Sequence, residues 1–146
     1  MQELSRLTET GHAIQLAVAP VFLLSGVSAM LAVLTNRLAR IIDRGRHLEA
    51  GLPRAAPETT PAMRHELSVL SQRARLINWA ISLCTVCALL ICAVIISLFL
   101  GPFLSLDLSA GVAWIFIGAM VALCSALVSF LREIFVATRH LRIGGP

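Results

Sequence analysis

Apolar residues run through this chain in three long stretches. Residues 14–34, 78–100 and 112–131 contain no Asp, Glu, Lys, Arg or His. Each is about 20 residues long, which at 1.5 Å per residue covers a hydrocarbon layer of about 30 Å. A backbone in that medium must satisfy its own hydrogen bonds, so the stretches read as helices. The pattern predicts an all-α membrane protein with three transmembrane helices. For the first stretch the competing reading is a cleaved signal peptide. That would want a positive flank and an apolar core of about 7–15 residues, whereas residues 1–12 carry Glu3 and Glu9 against a single Arg6. The first stretch therefore reads as a retained span.

The polar segment between the first two spans keeps a helical rhythm. Leu34, Leu38, Ile41, Gly45 and Leu48 recur at alternating steps of four and three, and Met63, Leu67, Leu70, Ala74 and Ile77 repeat the pattern. Such spacing is a helix seam. Between the two runs, "GLPRAAPETTP" (51–61) holds three prolines and one glycine and cannot be helical throughout. The predicted construction is an antiparallel helical hairpin over 35–77, extending spans one and two by about 20 Å, with Gly45 letting the two backbones come close. The alternative is two separate amphipathic helices lying on lipid. Spans two and three are joined by "GPFLSLDLSAG" (101–111). Gly101 and Pro102 are expected to stop the second helix there, and Asp107 or Ser109 to cap the third. Residues 132–146 form a tail. With no repeat or low-complexity tract, residues 1–146 read as a single membrane domain.

Composition supports the membrane reading, and charge orients it. The chain has 146 residues, 58% of them hydrophobic, and a mean hydropathy of +0.85; a soluble domain of this size cannot bury so much apolar surface. Lysine is absent. Eight arginines lie between spans one and two and three in the tail, against Arg6 alone on the other side. Positive residues stay cytoplasmic, which puts the N-terminus outside, and the hairpin and C-terminus inside. Trp79 and Trp114 fall near the two membrane boundaries, where indoles prefer to sit. The net charge of +4 then reads as attraction to anionic phospholipid head groups rather than to nucleic acid.

Arg37, Arg40 and Arg44 are the leading candidates for contact with lipid or a partner. On a helix they share one strip beside the seam. As a lipid-phosphate clamp, each arginine near the surface is worth about 1 kcal/mol. The same strip would serve as a charged ring at a pore mouth, or as partners for Asp43, Glu49 or Glu66 within the hairpin. Pro20, inside span one, removes a backbone donor and predicts a helix kink. Small residues form stripes suited to helix packing in lipid: Ser25, Gly26, Ser28, Ala29 and Ala32; Ala80, Cys84, Ala88 and Cys92; and Gly118, Ala122, Ser125 and Ser129, with Gly111 further up span three. Three helices bury few faces among themselves, so a homo-oligomer is expected. "CTVC" (84–87) and Cys124 lie in apolar segments with no His, Asp or Glu nearby, which argues for packing over metal or redox chemistry. His12, His47, His65 and His140 make no ligand set. The spans carry no carboxylate for a proton relay, and no nucleophile has a base at usable spacing. The sequence thus points away from an enzyme and implies no catalytic residue, cofactor or metal.

"LAVAPVFLLSGVSAMLAVLTNRLARIIDRGRHLE" (16–49) resembles a family of small bacterial membrane proteins known only as a domain of unknown function. The resemblance rests on the Ala19 to Leu24 run and on Asn36 to Arg44, and extends over most of the chain. It implies a three-span protein of the bacterial inner membrane and no established activity. Two functional classes remain open: a homo-oligomeric scaffold or accessory protein using the arginine-rich hairpin, or a homo-oligomeric ion channel.

Overall fold

A computed structural model describes residues 2–104 and 109–139. Asp107, one of the two candidate caps, and Arg142 lie outside the described residues. Three helices make up the fold, with no strand among the described residues: α1 (Gln2–Gly51), α2 (Thr60–Leu104) and α3 (Ser109–Arg139). All three are long and apolar enough to cross a membrane. The helices outrun the apolar stretches. α1 passes Pro20 without interruption and continues to Gly51, and α3 continues eight residues past Leu131 to Arg139. α2 does not stop at Gly101 and Pro102 but ends at Leu104. A proline this close to a helix end removes one intrahelical bond, and little helix follows for it to disrupt.

Buried positions follow a seven-residue period. In α1 they include Pro20, Val27, Leu34, Ile41 and Leu48; in α2, Leu70, Ile77, Cys84 and Ile91, with Ala80, Cys87 and Val94 between them; in α3, Ala119 and Ala126, with Ala122 between. This is the period of knobs-into-holes packing. The inside is largely small or medium (Ala, Cys, Val, Ile), while Phe22, Trp79, Leu89, Trp114, Val121 and Phe135 are exposed. In water such an outside would aggregate. Against acyl chains it is the expected arrangement, because lipid leaves helices to associate by close packing of small faces.

The chain clusters into two compact units. The first is drawn from Met1–Met30 and Leu83–Cys124. Its interior comprises Ala17 and Val27, Cys84, Cys87, Ile91 and Val94, and Ala119 and Ala122. Gly118 faces Leu90, whose Cδ1 would lie 3.7 Å from an added Cβ, an ordinary contact.

The second unit is drawn from Leu31–Ser82 and Ser125–Pro146. Here the end of α1 and the start of α2 pack on Leu34, Ile41, Leu48, Leu70 and Ile77. An added Cβ at Gly51 would meet Met63, and Arg44 reaches Glu66. These pairs advance along one helix as they retreat along the other, so the two segments run antiparallel. A short 3₁₀ turn (Leu52–Arg54) leads out of α1. The Ala56 carbonyl then accepts the backbone N–H groups of Thr59 and Thr60 and both threonine hydroxyls, at 2.9–3.2 Å, which starts α2. One expectation about this hairpin fails. A Cβ built on Gly45 meets nothing within 4 Å, so Gly45 does not serve a close backbone approach. It opens a notch instead, part of a groove of about 300 Å³ lined by Ile41, Leu67, Leu70 and Ala74.

Candidate functional site: a buried carboxylate held by two arginines

The charged centre of the second unit is Glu133. It is the only acidic residue of α3 and sits seven residues after the buried Ala126, at a core position of the helix. Its side chain is 0% exposed. Arg37 Nη1 donates to Oε2 at 2.6 Å, and Arg73 donates to Oε1 through Nε at 3.0 Å and Nη2 at 2.8 Å. Both carboxylate oxygens are thus occupied, each by a different helix. Each arginine stands three residues beyond a buried leucine, Arg37 after Leu34 and Arg73 after Leu70, so each guanidinium can reach inward. They are not fully desolvated, with side chains 35% and 24% exposed. The Arg37 guanidinium also lies over the Phe130 ring, 5.2 Å from its centroid, a favourable cation–π placement. No buried side-chain N or O among the described residues lacks a hydrogen-bond partner.

The three candidate arginines separate. Arg37 turns inward to Glu133. Arg44 pairs with Glu66 through Nε at 2.9 Å and Nη2 at 2.8 Å, in a half-exposed bridge. Arg40 is exposed and makes no ion pair among the described residues. Of the three acids expected as partners, Glu66 is used in this way. Glu133 was legible only weakly. It stands just past the third apolar stretch and reads as tail by hydropathy, but Ala119, Ala126 and Glu133 keep one heptad register that marks it as inward-facing. Arg73 was visible only as one of eight arginines.

The packing candidates divide by helix face. Ala122 is buried and Gly118 half-buried, whereas Ser125 is exposed and half-buried Ser129 donates to the Ser125 carbonyl at 2.9 Å. On α1, Ser25, Gly26, Ser28, Ala29 and Ala32 are all exposed. Ser25 and Ser28 return their hydroxyls to the Val21 and Leu24 carbonyls of their own helix. Pro20 is buried on the α1 heptad. All four cysteines are free, and no group of three or more His, Cys, Asp or Glu suited to a metal occurs among the described residues.

Beside the triad lies a cavity of about 590 Å³. Arg37 and Arg73 line it together with Val69, Leu70 and Ile134, and His65 and Thr138 are exposed lining residues.

The model of a family described as "Protein of unknown function (DUF2721)" matches residues 17–143. No curated protein and no solved structure matches the chain.

Proposed function

The chain belongs to the DUF2721 family, and on that premise we propose that it is a scaffold or accessory protein of the bacterial inner membrane. In this reading it is a homo-oligomer that holds anionic lipid or a partner through its arginine-rich hairpin. The supporting observation is the state of Glu133. A carboxylate serving a cation path must meet water or the ion. Here it is fully buried and both oxygens are taken by arginines, so its charge goes into bracing three helices. The exposed Arg40 and the other arginines of the hairpin are then the groups that meet head groups, each worth about 1 kcal/mol near an anionic surface. The arginine asymmetry favours a cytoplasmic hairpin, with the N-terminus outside. The small-residue face of α1, exposed within one chain, is the kind of surface that a second copy would cover.

Ion flux tests the reading. Purified protein in phosphatidylethanolamine/phosphatidylglycerol liposomes should pass neither K⁺ nor Cl⁻ above the protein-free rate. Flux of either ion above that rate would establish a pore and overturn the scaffold.

A further inference from the structure

We propose that the cavity beside the triad binds a phosphate anion, with Arg37 and Arg73 as its ligands. This deepens the lipid-contact reading above, on which it rests for the source of the anion. Three features carry it. The first is charge. Two guanidiniums face one carboxylate, and Glu66, which also lines the cavity, is paired with Arg44. One positive charge is left over on guanidiniums that water reaches only in part, at 35% and 24% exposure, so it is incompletely screened. A phosphodiester carries the single negative charge that would balance it.

The second feature is donor geometry. Two guanidiniums carry about ten N–H donors in rigid forks, and three of these are used on Glu133. Both arginines line the cavity, and planar guanidinium forks suit phosphate oxygens better than any other side chain.

The third is placement and size. Arg37 and Arg73 lie three and five residues beyond the apolar stretches of their helices, roughly 4–8 Å along the axis, at the depth of head groups. The volume of about 590 Å³ falls within the usual range of ligand cavities. Val69, Leu70 and Ile134 give it an apolar side suited to a glycerol backbone, and exposed His65 and Thr138 line it as well. The same chemistry would accept a lipid head group from the membrane or a free phosphate from water.

The test is native mass spectrometry of the delipidated full-length protein in detergent. It is titrated in one arm with phosphatidylglycerol against phosphatidylcholine, and in the other with inorganic phosphate. One phosphatidylglycerol per chain is expected to bind in preference to phosphatidylcholine. Thr138→Glu puts a negative charge on the lining without touching the triad, and should weaken this binding roughly tenfold. Arg73→Gln should do the same, with far-UV circular dichroism checking that the helices persist. Arg40→Gln, outside the cavity, should leave the single site unchanged.

Phosphate binding that Thr138→Glu abolishes, with no lipid preference, would keep the site, make soluble phosphate its ligand and remove the lipid-contact reading. Lipid binding that responds to Arg40→Gln but not to Thr138→Glu would overturn the site and leave that reading intact. Absence of binding in both arms would overturn the two together.

Discussion

Replacing Glu133 with glutamine keeps the side chain's shape and removes its charge. The consequence follows from the geometry. A carboxylate accepts on both oxygens, Oε2 from Arg37 at 2.6 Å and Oε1 from Arg73 at 2.8 and 3.0 Å. An amide has one acceptor and one donor group, so either Arg37 or Arg73 must face an N–H with its own N–H. The two guanidiniums also lose their shared counter-ion. Breaking a fully buried ion pair costs about 3–5 kcal/mol. Because Arg37 and Arg73 stay 35% and 24% exposed, water takes up part of their charge and the lower end applies. About 3 kcal/mol corresponds to roughly a hundredfold shift in the unfolding equilibrium. The control is Glu66→Gln, which breaks a bridge exposed by 58% and 44% and should cost less than about 1 kcal/mol. Equilibrium unfolding in mixed micelles, followed by circular dichroism, reads both. A Glu133→Gln loss no larger than that of Glu66→Gln would refute the reasoning. Where the charge itself is the burden, the triple replacement Arg37→Leu, Arg73→Met, Glu133→Leu should recover most of the loss, since well-packed apolar groups replace buried ion pairs at little or no cost.

Gly45→Ala should stabilise by about 0.5–1 kcal/mol, because the new methyl meets nothing and the helix gains a better former; destabilisation on thermal unfolding would mean that the notch is filled, most simply by a second copy. With the four native cysteines replaced by alanine, Ile41→Cys and Leu70→Cys line one groove and should form an intrachain disulfide on mild oxidation. Products seen only as dimers on non-reducing gels would contradict the hairpin. In the same background, Glu58→Cys in the exposed turn should react with a membrane-impermeant maleimide only after permeabilisation, whereas labelling of intact spheroplasts would reverse the proposed orientation.

The helices themselves are the most local property of this protein, and they could be read without a structure. An apolar run of about 20 residues in lipid has no other way to satisfy its backbone, which is why residues 14–34, 78–100 and 112–131 fall within α1, α2 and α3. The hairpin was legible for a related reason. Leu34, Ile41, Leu48, Leu70 and Ile77 encode their shared face through short steps of three, four and seven, and all five are buried. Helix ends were less legible, because hydropathy marks where lipid stops and not where hydrogen bonding stops; α3 therefore runs on to Arg139.

The site depended on tertiary structure. Arg37 and Glu133 stand 96 residues apart, and nothing local links them. Their meeting requires three helices to be rotated about their axes so that one core position of α3 faces the turns after Leu34 and Leu70. A heptad register narrows that rotation but does not choose among partners, since any arginine near the seam satisfies it equally well. Packing made the choice, sending Arg37 and Arg73 to Glu133, Arg44 to Glu66 and Arg40 outward. It also left Gly45 facing open space, because a seam position is fixed by period whereas its contact depends on what stands opposite.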